Sequence, residues 1–289
     1  MATFDPQFAH DILLPIAEAA YLQTLASDSL PSDYTVVGQI TADTNKAQAL
    51  AATAPANHQA MIQNLMSDGN FFGWVVENTQ AKIAVVAFRG TLDLEDWLHN
   101  IDVLLTSYQP VANYGTVHKG FQLYYMTVRD SVLSLLKQID SSCNRLIVTG
   151  HSLGAALSEL AAPDIFHNGQ IGNASISLVP EVQNFAGPRV GQHDFASIFD
   201  VQIDVCFRVV NIWDIVPNVP PPLIFEHAGL AVRIDGGFTL DELVAHSLEK
   251  SYGPGLLKLI PASGAPLPVT AIPNAATAIP NGVLIGREP

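Results

Sequence analysis

Residues 144–155, NRLIVTGHSLGA, hold the side chain best placed to do chemistry. Leu146, Ile147 and Val148 read as an apolar strand, and Leu153, Ala156, Leu157, Leu160 and Ala161 follow at helical spacing. Between them lies Gly150-His151-Ser152-Leu153-Gly154, a G-x-S-x-G pattern. The five residues alone recur by chance; the strand–turn–helix setting gives them meaning. A sharp turn there holds the serine in a strained backbone conformation, and glycines two residues to either side remove Cβ atoms that would clash. The following helix N-terminus supplies N–H donors and a positive dipole end. Ser152 is therefore a candidate nucleophile. The alternative is an ordinary turn with a capping serine.

A serine hydroxyl attacks only when a base takes its proton, and that base needs an orienting acid. In this kind of strand–turn–helix scaffold both follow the serine in chain order, on loops after strands. Of the later carboxylates only Asp214 and Asp235 closely follow predicted strands. Asp235 leads into Gly236-Gly237, which is turn chemistry. Asp214 stands among Val210, Ile212, Trp213, Ile215 and Val216, where a carboxylate is costly unless paired. Asp214 is the expected acid. Among His167, His193, His227 and His246, the last follows the final predicted strand and opens a predicted helix over 246–259, so it is the expected base. His151 is expected to point away from the site. A developing oxyanion needs preorganised donors. The expected ones are the Leu153 N–H and Thr91, which ends a strongly apolar strand and offers both an N–H and a hydroxyl.

The elements that must carry these residues alternate. A helix is predicted over residues 6–27 and a strand over 34–40, followed by an alanine-rich helical piece at 45–67. Apolar runs at 71–77 and 82–89 form a hairpin around residues 78–81. Leu94, Trp97, Leu98 and Ile101 recur at i, i+3, i+4 and i+7, with Glu95, Asp96, His99 and Asn100 between them. This short amphipathic helix is expected to be a movable lid over about residues 91–102 that touches substrate; the alternative is a helix docked permanently on the core. A loop over 103–116, a long helix over 121–139, and strands at 182–186, 205–210 and 230–234 complete the pattern. Strands alternating with helices imply an α/β fold, a mainly parallel central sheet with helices on both faces.

Composition narrows the partners. Of 289 residues, 48% are hydrophobic and only 14% charged, and the net charge is −14. That disfavours nucleic acid and anionic membranes and leaves a neutral lipid–water interface open. The N-terminus lacks a basic start before an apolar run, the first basic residue being Lys46, so no signal peptide is expected. A mature secreted chain would look the same. No transmembrane segment is expected, because the longest uncharged run, 259–286, is broken by five prolines. Cys143 and Cys206 each begin a predicted strand. With a third strand between them their Cα atoms would lie about 9–10 Å apart, too far for a disulfide. Residues 1–259 are expected to form one domain. The nearly uncharged tail 260–289, with its repeated Thr-Ala-Ile-Pro-Asn, is expected to pack on the body or on a second copy.

Taken together these pieces resemble the class 3 lipase family, the filamentous-fungal triacylglycerol lipase type of the α/β-hydrolases. The resemblance rests on AFRGT (87–91), LEDWLHNI (94–101), VHKGF (117–121), VTGHSLGAALSEL (148–160), NFAGPRVG (184–191), FRVVNIWDIVPNVPP (207–221), HAG (227–229) and HSLEKSY (246–252). It implies a Ser152–His246–Asp214 triad, a Thr91 and Leu153 oxyanion hole, a hinged lid, and hydrolysis of acylglycerol esters through an acyl-enzyme, with no metal or cofactor. Asn100 stands where the family usually has an acid, with Asp102 close by, and the family's disulfides are missing. Two readings compete: a phospholipase, feruloyl-type or short-chain esterase on the same scaffold, and a catalytically silent hydrolase fold that binds partners.

Overall fold

The computed structural model describes residues 3–54, 59, 62, 70–172, 178–268, 278–279 and 283–286. Its strands are β1 (Thr35–Thr41), β2 (Phe71–Asn78), β3 (Ile83–Phe88), β4 (Arg145–Gly150), β5 (Glu181–Phe185), β6 (Cys206–Asn211), β7 (Leu230–Ile234), β8 (Ala278–Ile279) and β9 (Val283–Gly286). They join one sheet in the order β8-β9-β7-β6-β5-β4-β3-β2-β1. Strands β3 to β7 run parallel, and β1, β2, β8 and β9 add antiparallel flanks.

Alternation along the strands explains why both faces are covered. Val86 and Val148 enter one core with Phe121, Leu157 and Leu160. Their neighbours Val85 and Ile147 enter the other, with Leu13, Val209 and Tyr252. Strands so buried read as continuous apolar runs, as these do. The main helices are α1 (Thr44–Thr53), α2 (Leu94–Asn100), α3 (Lys119–Leu136), α4 (Leu153–Asn168), α5 (His193–Gln202) and α6 (Glu242–His246). None among the described residues is long and apolar enough to cross a membrane.

Several elements differ from the sequence expectation. The N-terminal helical run stops at Ala19. Residues 103–116 are not all loop, because Leu105–Ser107 pairs with Thr116–His118. The alanine-rich piece is helical as α1; most of 55–67 lies outside the described residues. The expected last helix is broken: α6 ends at His246, and a π-turn Leu248–Tyr252 precedes a final helix Gly253–Leu257. The cause is a double set of caps. Asp241 accepts from the N–H groups of Leu243 and Val244, and Ser247, in extended conformation, caps the next turn through Lys250 N–H. Both cysteines are buried and free, with β5 between β4, which Cys143 precedes, and β6, which Cys206 begins. Of the tail, Leu267–Pro268 pairs with Thr3–Phe4, and β9 pairs with β7.

Candidate active site

Ser152 lies between β4 and α4 with φ 60° and ψ −124°, a region that non-glycine residues occupy only under constraint. The constraint is visible. Ser152 N–H donates to Phe185 O at 3.0 Å, and Gly154 N–H to His151 O at 2.8 Å. A Cβ on Gly150 would meet the Gly154 carbonyl, and one on Gly154 would meet the carbonyls of Phe88 and Arg89. The elbow is thus pressed against the ends of β3 and β5, and only glycine fits at either flank.

Asp214 sits in the turn after β6, and its carboxylate is fully subscribed. Oδ2 accepts from the Tyr252 hydroxyl at 2.6 Å and lies 2.8 Å from His246 Nδ1; Oδ1 accepts from Val216 N–H at 2.9 Å. Both Asp214 and His246 are buried. A carboxylate at Nδ1 places the proton there and leaves Nε2 as the basic nitrogen. Neither His246 Nε2 nor Ser152 Oγ has a hydrogen-bond partner among the described residues, although both are buried. The serine–histidine bond is therefore not made in this state. Such bonds are often long in substrate-free enzymes and tighten when substrate is bound.

The rejected candidates have other occupations. Asp235 accepts from Trp213 Nε1 and Gly237 N–H. His227 Nε2 faces the Pro217 carbonyl, His167 faces Gln202, and the exposed His193 pairs with Glu226. His151 departs from expectation: its ring lies 4.4 Å from that of His246, centroid to centroid, instead of pointing away.

Leu153 is the first residue of α4, so its N–H has no acceptor within the helix. A Cβ on Gly90 would touch Ser152 Cβ, which places the chain entering Thr91 directly against the serine. The Thr91 hydroxyl is engaged in a turn with Asp93, donating to its carbonyl at 3.3 Å and accepting from its N–H at 3.2 Å. Helix α2 then lies down on the body. Leu94 and Trp97 are buried, Leu98 and Ile101 pack against the core, and Trp97 stacks on Phe121 at 6.1 Å. The buried Trp97 Nε1 has no partner among the described residues. Asp102 is bound to Leu104 N–H and lies 3.4 Å from His118 Nε2, while the Asn100 side chain falls outside the described residues. A cavity of about 430 Å³ opens between Leu98 of α2 and Ile215 and Val219, with Glu95 and Glu242 at its wall.

Three supporting residues escaped the sequence reading. Tyr252 binds the Asp214 carboxylate. Asn211, buried at the end of β6, donates to the Ala245 carbonyl and accepts from Gly236 N–H, tying the strand before Asp214 to the segment that carries His246. Tyr21 reaches His151 from the N-terminal segment. Tyr252 carried the clearest signal, six residues after His246 in HSLEKSY.

The family described as Lipase (class 3) matches residues 85–224, a span that holds Ser152 and Asp214 and stops short of His246. A lipase of Rhizomucor miehei is 35% identical over 163 residues, 54% of this chain and 42% of that protein. Phospholipase A1-II 4 of Oryza sativa subsp. japonica is 34% identical over 207 residues, 61% of this chain and 50% of that protein. The chain spans about half the length of the curated relatives it matches. Among solved structures, the mono- and diacylglycerol lipase from Aspergillus oryzae matches with a TM-score of 0.62 at 19% identity over 86% of each chain. The Rhizomucor miehei triacylglyceride lipase matches with a TM-score of 0.60 at 23% identity, over 81% of this chain and 82% of that one. At these identities the structures speak for the fold, the α/β-hydrolase architecture. Fold, motif order and sequence relatives converge: over residues 85–224 the chain matches the class 3 lipase family, and it has the α/β-hydrolase fold of the solved lipases.

Proposed function

We propose that the chain hydrolyses carboxylic esters of acylglycerols with Ser152 as nucleophile, His246 as base and Asp214 as its orienting acid. One observation carries this reading: a strained, buried serine with an unpartnered hydroxyl, alongside a histidine whose Nδ1 is held by a carboxylate and whose Nε2 is also unpartnered. The lipases and phospholipases A1 among the relatives support the lipid part of the reading.

His246 Nε2 takes the Ser152 proton as Oγ bonds to the carbonyl carbon, and the displaced electron pair moves onto the carbonyl oxygen. The N–H groups of Leu153 and Thr91 stabilise that oxyanion. Its collapse breaks the ester C–O bond, and the alcohol leaves with the proton from His246. Water, deprotonated by His246, then attacks the acyl-enzyme; the acid departs and Ser152 regains its proton. Residues 91–102 act as the lid, and lifting them frees the Thr91 hydroxyl from Asp93 to become a further oxyanion donor. The cavity beside Leu98, Ile215 and Val219 receives the acyl chain, each buried CH₂ contributing about 0.8 kcal/mol.

Rates on soluble esters of increasing chain length and on emulsified triacylglycerol test this. Ser152→Ala is expected to lower kcat on the order of 10⁶-fold, and a fluorophosphonate is expected to label the wild type and not the variant. A preference for the shortest chains with no rise at an emulsion surface would sink the lipase reading. A folded protein that takes no label would restore the binding-module reading. Faster release of fatty acid from phosphatidylcholine than from triacylglycerol would favour a phospholipase, the reading that the rice relative supports.

A further inference from the structure

Both ring nitrogens of the buried His151 are engaged. Nε2 lies 2.8 Å from the carbonyl oxygen of His246, and Nδ1 lies 2.7 Å from the hydroxyl of Tyr21. A carbonyl only accepts, so Nε2 carries the proton. Burial, helped by the adjacent His246, holds the His151 pKa well below its ordinary value, so the ring is neutral with a single N–H. Nδ1 is then a lone pair to which Tyr21 must donate. The Tyr21 oxygen in turn accepts from the backbone N–H of Gly90. Every proton in this chain has one direction: Gly90 to Tyr21, Tyr21 to His151, His151 to the His246 carbonyl.

The chain touches all three parts of the catalytic arrangement. Gly90 precedes the oxyanion donor Thr91, His151 precedes the nucleophile, and His246 is the base. Resting on the hydrolase reading above, we propose that Tyr21 and His151 are positioning residues whose directed hydrogen-bond chain holds the base and the oxyanion strand in register with Ser152. The device depends on polarity as well as packing. Without the Tyr21 donor, the His246 carbonyl still holds the proton on Nε2, but the buried Nδ1 lone pair is left with no donor and the ring loses its tie to the oxyanion strand. A buried acceptor without a donor is costly, and the ring shifts to relieve it, carrying the base away from the serine. A shift of about 1 Å at a reacting group costs about 10²-fold in rate.

Tyr21→Phe deletes one oxygen and keeps the ring. It is expected to lower kcat on a soluble ester by about 10- to 100-fold while KM stays within about 2-fold. In ¹⁵N-histidine-labelled protein, His151 is expected to be the neutral Nε2-protonated form in both proteins, with its Nδ1 resonance shifted in Tyr21→Phe by loss of the hydrogen bond it accepts. Glutamine offers an N–H near the Nε2 position without needing Tyr21. His151→Gln is therefore expected to keep more activity than His151→Leu, and Tyr21→Phe to add little to it. If the His151 variants do not fold, Tyr21→Phe with its Nδ1 shift still decides the matter. Wild-type kcat and an unshifted Nδ1 resonance in Tyr21→Phe, or equal losses in His151→Gln and His151→Leu, would overturn the positioning role in an active enzyme. A folded wild type that neither cleaves esters nor takes a fluorophosphonate at Ser152 would overturn the hydrolase reading itself, and this role with it.

Discussion

At the scale of single residues, what the site asks of each side chain is set by its neighbours. Asp214 binds two side-chain donors and a backbone N–H at once. Asp214→Asn would keep the shape and lose the tautomer control of His246, with an expected fall in kcat of about 10⁴-fold. Tyr252→Phe leaves the charge and removes one donor, and a fall nearer 10-fold is expected; both are read from single-turnover acylation. Glu159, buried in α4 near Arg208, Asp200 and Asn184, has its carboxyl pushed up to about 7 by burial. The folded chain thus keeps a proton that the unfolded chain releases near pH 4.5. Stability that is full below that value is lost as pH rises through about 7, by about 3 kcal/mol. Denaturation of Glu159→Gln at pH 5 and pH 8 is expected to show a smaller pH-dependent loss than the wild type. The strained turn at Ser152 and the meeting of Asp214 with His246 were legible because turn glycines, apolar flanks and chain order mark them. Tyr21 was not: it meets His151 across 130 residues of chain, and no local pattern encodes that contact.

At the scale of elements, helix α2 carries the proposed lid. Docking hides its apolar stripe and strands the Trp97 indole N–H, a group that costs about 1–3 kcal/mol when buried without a partner. Trp97→Phe keeps the stack on Phe121 and removes the stranded donor. The docked state should then be favoured: a higher thermal midpoint, slower cleavage of monomeric ester, and a larger relative rise at an emulsion surface. The amphipathic period of α2 was readable because helical spacing directly reports a buried face. The break after His246 was not. The apolar period runs on from Leu243 to Leu256, and periodicity cannot see that Ser247 turns extended and starts a new cap.

At the scale of the whole molecule, the segments that carry Asp214 and His246 also carry exposed apolar side chains: Ile212, Trp213, Ile215, Phe238, Leu240 and Leu243. Trp213 and Phe238 meet edge to face at 4.8 Å, so part of this rim is held before any surface is met. With a net charge of −14, such a rim suits a neutral lipid surface better than an anionic one. Trp213→Ser with Phe238→Ser is expected to weaken adsorption to triacylglycerol droplets and to cost more activity on emulsions than on soluble ester. Elsewhere the parallel order from β3 to β7 was legible from strand–helix alternation, but the partners of the tail were not, since proline-rich apolar sequence does not name the edge it joins. That edge has a manufacturing consequence. Residues 284–286 cover the hydrogen-bonding row of 231–233, and a bare strand edge is a template for other chains. A protein trimmed before residue 278 to improve its behaviour is expected to do the reverse, scattering light in proportion to its concentration while its ester chemistry is still intact.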